Sequence, residues 1–312
     1  TPKYVTIPLI SMYYPYSIGT GLGTCFGTQQ GVYCFGVGLD PHWPTLFANS
    51  NQIHSVIRGR AHTCGIERIS LNTSDGGAAK CWGSNDKGQL GLGQSYYQYG
   101  TGTSVAAQVP GLEYDVKQVA SKEYYSCALK LSTVWCWGTI QNKNGNSKVY
   151  VNATRVEGTD GATLVSVSDS GGCALMSDKS VKCWGYNSYG SLGTLIADGQ
   201  LSEKALNIPQ MQSGVDYIAS GINTHCAVKS GAAYCWGVQF DGTDTYTLNP
   251  TMPYSSQPSV VPGLVSNVTA LDLGRVHGCA LVGSNIKCWG DNSLGQLGDG
   301  TKNDSLLPVQ AL

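Results

Sequence analysis

Twelve cysteines carry the most evident chemistry in this sequence, and their spacing separates the two things that thiols in such numbers do. They fall in pairs: Cys25/Cys34, Cys64/Cys81, Cys127/Cys136, Cys173/Cys183, Cys226/Cys235 and Cys279/Cys288. Zinc needs four converging ligands, usually around a Cys-x-x-Cys motif, and the sequence has none. Four of the pairs are nine residues apart, which a two-residue hairpin turn places directly opposite one another. Opposed residues in a non-hydrogen-bonded antiparallel pair have Cα atoms about 4.5 Å apart, inside the range of a disulfide. Ser230-Gly231 and Gly283-Ser284 supply suitable turns for the last two pairs. Cys173/Cys183 adds one turn residue, and Cys64/Cys81 carries an insertion with Asp75-Gly76-Gly77. The spacing predicts six disulfides, each worth about 2–3 kcal/mol through chain entropy, and with them an oxidising compartment.

Little else in the sequence is arranged for reaction. There is no Gly-x-Ser-x-Gly elbow, phosphate loop, His-Glu-x-x-His helix or calcium loop. His62 and His277 each precede a paired cysteine by two residues, but the corresponding places elsewhere hold Gly23, Tyr125, Gly171 and Thr224. Such replacement argues against a catalytic duty. Asp86, Glu113, Asp169 and Asp291 are dispersed and read as turn residues. No catalytic residue, metal ligand or cofactor is expected, and the protein reads as a non-enzyme.

The elements that position the cysteines emerge from a repeat. Cys-Trp-Gly recurs at Cys81-Trp82-Gly83, Cys136-Trp137-Gly138, Cys183-Trp184-Gly185, Cys235-Trp236-Gly237 and Cys288-Trp289-Gly290, with a weaker copy at Cys34-Phe35-Gly36. The spacings are 47, 55, 47, 52 and 53 residues. A period near 50, with short alternating segments cut by glycine turns, predicts an all-β propeller of about six blades with one disulfide per blade. The whole chain, 1–312, reads as one domain with approximate repeats 1–48, 49–102, 103–151, 152–205, 206–257 and 258–312. Each Trp follows a half-cystine and so points to the other sheet face, where a repeated aromatic fills the space between blades. Three copies run on into Asn- and Gly-rich ends, Ser84 to Gly93, Tyr186 to Gly193 and Asp291 to Gly298, two of them containing Gly-Gln-Leu-Gly.

These runs resemble the regulator of chromosome condensation repeat family over nearly the whole chain. The resemblance implies a β-propeller, usually of seven blades, and a structural hydrogen-bonding role for His62 and His277. Two departures stand out. Six units are present where seven are usual, and the paired cysteines depart from the nuclear founder, whose function therefore does not carry over. The family's exported β-lactamase inhibitor offers a precedent for a secreted binder.

Composition agrees with an exported, non-nuclear protein. Nineteen basic and 20 acidic side chains are scattered to a net charge of −1, which offers no footprint for nucleic acid or an anionic membrane. No apolar run approaches the roughly 18–20 residues that span a bilayer. The opening Thr1-Pro2 reads as a mature product whose leader has been removed, or as a trimmed chain. N-glycosylation sequons at Asn72, Asn152, Asn267 and Asn303 fit an extracellular or cell-surface location.

Contact residues are expected in the irregular parts. Tyr13, Tyr14, Tyr16, Tyr96, Tyr97, Tyr99, Tyr124 and Tyr125 form tyrosine-rich segments, and Trp43 stands outside the repeat series. The insertions 194–214 and 238–259 read as contact loops. Val-Pro-Gly-Leu opens blades at Val109 to Leu112 and Val261 to Leu264, and both chain ends imitate it, Val5 to Leu9 and Leu307 to Leu312. Two ends for one seam imply either ordinary closure or a strand donated to a neighbouring copy. The expected function is a non-catalytic extracellular interaction or structural scaffold, one form of which is a self-assembling filament or coat subunit built through terminal strands. The alternatives are a monomeric secreted binder or inhibitor of a protein, and a lectin that binds glycans.

Overall fold

Each repeat folds as four consecutive antiparallel strands, giving six four-stranded sheets. The computed structural model describes residues 53–68, 76–94, 102–239 and 254–312, and between residues 17 and 48 the backbone of four strands; His54 is described as backbone alone. The blades, numbered in chain order, span 17–48, 53–108, 116–155, 162–207, 215–260 and 268–310. In blade 3 the strands are Val116–Lys122, Tyr125–Lys130, Thr133–Gln141 and Ser147–Arg155, running from the axis outwards. Burial follows that order. The second strand is buried throughout, and the fourth is half-buried or exposed along its length. Inner strands of successive blades touch, from Ser17–Thr20 through to Val268–Leu273, so the blades fan around one axis.

The cysteine register has a simple consequence. Cys127 lies opposite Cys136, and Cys64–Cys81, Cys173–Cys183, Cys226–Cys235 and Cys279–Cys288 repeat the arrangement, all bonded with Cα atoms 4.0–4.1 Å apart. Cys25 lies opposite Cys34 in the same register; their side chains lie outside the described residues. Trp82, Trp137, Trp184, Trp236 and Trp289 are all buried. Trp137 donates its indole N–H to Gln89 O of blade 2 at 2.9 Å, and Trp236 donates to Ser191 O of blade 4 at 3.0 Å. The Asn- and Gly-rich ends serve those contacts. Asn85 Oδ1 accepts from Leu90 N at 3.0 Å, and Asn187 and Asn292 do the same for Leu192 and Leu297. Gly91, at φ +68°, is required because a Cβ there would stand 2.8 Å from the Trp137 ring.

Three boundary expectations change. The fourth strand of each sheet follows the Cys-Trp-Gly run, so blades 2 to 5 end at 108, 155, 207 and 260, a few residues beyond the repeat limits drawn from sequence. The segments 194–214 and 238–259 are not simply loops, since they contain the outer strand Leu201–Asn207 and most of Tyr254–Val260. These strands are polar and largely exposed, so they lack the alternation that marks a strand in sequence. Val109 to Leu112 belongs as much to the preceding blade as to the next: Val109 N donates to Ala79 O at 3.0 Å, and Ala79 N to Leu112 O at 2.8 Å.

Candidate functional site

In blades 2 to 6 the hairpin joining the first two strands points at one mouth of the axial channel. Its tip residue stands four positions before the first cysteine of the blade, and in the five blades with described side chains it is Arg60, Glu123, Asp169, Ile222 and Arg275. The tips share one backbone form, with Gly59 N, Ser168 N, Gly221 N and Gly274 N each donating across the turn to the residue three ahead. The frame is repeated while the displayed chemistry changes from blade to blade.

Glu123 sits between two cations, its carboxylate 3.4 Å from Arg60 Nη1 and 3.4 Å from Arg275 Nη1, so blades 2, 3 and 6 meet across the mouth. Solvent weakens such half-exposed pairs. One position deeper blades 2, 4, 5 and 6 carry Gly59, Ser168, Gly221 and Gly274, and blade 3 carries Lys122. Lys122 is long enough to cross the channel, its Nζ donating to Leu273 O at 3.0 Å and to Ser220 O at 3.4 Å. Burial lowers its pKa, opposed by Asp272, Asp169 and Glu123. Above it a cavity of about 480 Å³ is lined by Arg58, Arg60, Glu123, Asp272, Arg275 and His277 among others. Below it a second cavity, about 240 Å³, runs between the inner strands. Burial, and then the neighbouring Glu123, raise the Asp169 carboxyl to about 7, and its Oδ1 has no hydrogen-bond partner among the described residues.

His277 lines the cavity above Lys122, whereas His62 and His225 lie in the seams. His62 Nε2 lies 2.7 Å from Ser126 Oγ, itself 2.9 Å from Ser121 Oγ, which joins blade 2 to blade 3. A serine beside a histidine is where hydrolytic chemistry would be sought, but both are buried in the seam. Burial, followed by the nearby Arg58, holds His62 down at about 3. His225 is likewise buried, at about 3, with Nδ1 2.7 Å from Ser220 Oγ and its ring stacked on Trp236. Both imidazoles are neutral joints at physiological pH. Among the described residues no cluster of three or more His, Cys, Asp or Glu side chains could hold a metal, and no helix is long and apolar enough to cross a membrane.

Of the tyrosines singled out in the sequence, Tyr124 is half-buried at the mouth with the Arg60 guanidinium 5.8 Å from its ring centroid. Tyr125 is not a contact residue. It is 2% exposed, and its hydroxyl accepts from Trp184 Nε1 at 3.2 Å, because it fills the seam position that His62 occupies one blade earlier. Tyr13, Tyr14, Tyr16, Trp43, Tyr96, Tyr97, Tyr99 and Asn72 lie outside the described residues, as does the segment Val5 to Leu9. Asn152, Asn267 and Asn303 are exposed. Sequence reasoning passed over Arg60, Lys122, Glu123 and Arg275 and took Asp169 for a turn residue. Their common offset from the cysteines was the available signal.

Comparison with known proteins places this frame. Residues 162–191 match the Regulator of chromosome condensation (RCC1) repeat. The E3 ubiquitin-protein ligase HERC2 of Homo sapiens is 29% identical over 258 residues, 76% of this chain and 5% of the ligase. The secretion-regulating guanine nucleotide exchange factor of Bos taurus is 25% identical over 277 residues, 78% of this chain and 58% of the factor. The chain thus spans less than two thirds of either relative. Human WBSCR16 superposes with a TM-score of 0.78 at 19% identity, over 98% of this chain and 84% of that one. Prp20p from Saccharomyces cerevisiae, described with its binding to Gsp1p and histones, gives 0.72 at 16% identity, over 95% and 76%.

Proposed function

Since this chain is a β-propeller of the regulator of chromosome condensation repeat family, we propose that it is a non-catalytic protein-binding scaffold of an oxidising, extracellular compartment, meeting its partner at the channel mouth. One observation carries the reading: Arg60, Glu123, Asp169, Ile222 and Arg275 occupy one repeated position with differing chemistry, on blades whose paired cysteines and Cys-Trp-Gly run repeat unchanged. A rigid frame presenting a mixed-charge rim around a cavity suits recognition of a protein surface, where charge arrangement selects the partner. The stapled blades support the compartment, since disulfides are rare where thiols are kept reduced. Binding to Gsp1p and histones, described for Prp20p, supports protein recognition as the use of this fold. Guanine nucleotide exchange, the activity in the bovine relative's name, sits poorly with an oxidising compartment.

The test is a photo-crosslinking residue placed in turn at Tyr124, on the mouth, and at Ser132, on the opposite face, in protein incubated with extracellular material from its source. A discrete protein adduct from position 124 alone is expected. Equal adducts from both positions, or none from either, would count against the mouth. An adduct removed by glycosidases would favour the lectin reading instead.

A further inference from the structure

The cavity at the channel mouth is electropositive, although the chain as a whole has a net charge of −1. Its charged lining among the described residues is Arg58, Arg60, Lys122 and Arg275 against Glu123 and Asp272, four cations to two carboxylates. His277, also on the wall, is uncharged at neutral pH, because burial lowers its pKa from the ordinary 6.5. Asp169, with its carboxyl at about 7, adds only part of a negative charge there. The positive surplus is therefore local to the mouth.

The fold sets these cations in place. Arg60 N donates to Glu123 O at 2.9 Å, which ties the tip of blade 2 to the tip of blade 3. The Glu123 carboxylate is then shared, Oε2 facing Arg60 and Oε1 facing Arg275, each through one guanidinium nitrogen at 3.4 Å. A carboxylate matched to an arginine engages two nitrogens in parallel at about 2.7–2.9 Å. Glu123 thus serves two arginines and grips neither as a fork. Arg58, on the inner strand of blade 2, is half-buried, and the lowering of its pKa by burial is opposed by no carboxylate among the described residues. A cation withdrawn from water without a counter-charge is costly, and an incoming anion offsets that cost.

The rest of the lining limits which anion fits. Ile222 and Leu273 put apolar surface beside the arginines. Glu123 and Asp272 remain on the wall, and a surplus of two charges, four less two, suits one or two carboxylates. The continuous charge of a sulfated glycan or a nucleic acid would meet both acids and a chain of net −1.

We infer that the cavity takes an acidic side chain of a partner protein, its carboxylate neutralised by Arg58, Arg60 and Arg275, with an apolar neighbour in the same segment seated against Ile222 and Leu273. The inference rests on the mouth being the docking face and names the chemistry docked there. Glu123 then acts as a resident competitor for the arginines. Removing its charge should strengthen binding, the reverse of what a direct contact residue would do.

Short random peptides displayed on phage and selected on the full, disulfide-bonded chain test this. Enriched sequences should place Asp or Glu beside an apolar residue. A synthetic peptide from that selection should lose about tenfold or more in affinity when its acid is changed to the amide, a comparison that needs no variant of the chain. Arg58→Ala and Arg275→Ala should each weaken the acidic peptide by about fivefold or more, with thermal midpoints recorded to show that the fold is kept. Glu123→Gln should strengthen it by up to about fivefold. Enrichment of basic or wholly apolar peptides, equal affinity for acid and amide, or weaker binding by Glu123→Gln overturns the inference. So does retention on heparin with no acidic peptide enriched. After such a result, a protein adduct that still forms at position 124 would leave the mouth as the docking face and remove only its acidic ligand, whereas loss of that adduct would remove the face itself.

Discussion

The seams between blades and the mouth of the channel are built from the same repeats and treat repetition in opposite ways. In the seams, equivalent positions keep their kind: a half-cystine, then a buried Trp, with a neighbouring blade's backbone carbonyl accepting from the indole in two of them. At the mouth, equivalent positions run through Arg60, Glu123, Asp169, Ile222 and Arg275. The uniform Cys and Trp positions hold the ring together, and the variable hairpin tips are left for recognition. It follows that seam substitutions should cost stability and mouth substitutions should cost binding.

The largest stability effect is expected at a seam. Trp137→Ala removes a fully buried indole and its bond to Gln89, and should destabilise by about 3–5 kcal/mol in denaturant unfolding. A loss below 1 kcal/mol would show that the seam is not packed as described. Next comes the staple: Cys127→Ala with Cys136→Ala should cost about 2–3 kcal/mol while leaving the mouth's binding intact.

Titration separates the two regions by sign. His62 and His225 are held at about 3 against an ordinary 6.5, so below pH 6.5 the unfolded chain takes up protons that the folded one refuses. Stability should fall by about 1.4 kcal/mol per pH unit for each histidine between pH 6.5 and 3. His225→Gln should flatten that slope in unfolding curves taken at successive pH values. Asp169 runs the other way. Its folded value of about 7 lies above the ordinary 3.8, so between those values the unfolded chain ionises first and stability falls as pH rises. Asp169→Asn should abolish that component, and a slope unchanged from the wild type would remove Asp169 from the mouth's electrostatics. The smallest stability effect is expected for Arg60→Ala, within about 1 kcal/mol, because its pair with Glu123 is half exposed.

Much of the seam chemistry was legible in the sequence because periodicity reports positions that cannot vary. Nine-residue cysteine spacing fixed the hairpin register, and the Trp after each half-cystine placed an aromatic on the opposite face. Positions that escape the pattern were read less well. Leu201–Asn207 and Tyr254–Val260 face solvent along most of their length and so carry no apolar alternation. Tyr125 looked like surface chemistry beside Tyr124, yet one points into the seam and the other lies at the mouth, a difference that a two-residue motif conceals. The mouth itself was hidden because five residues of four types, spread over more than 200 positions, are linked only by their distance from a cysteine. Lys122 could not be recognised as a plug until its carbonyl partners on blades 5 and 6 were in view.

The division of labour is tested most directly by Arg60→Ala with Arg275→Ala, measured for affinity towards the protein captured at position 124 and for thermal midpoint in the same preparation. A loss of about tenfold or more in affinity, with a midpoint within a few degrees of the parent, is expected of a rim that recognises and does not hold the fold. Unchanged affinity with both arginines removed would contradict it.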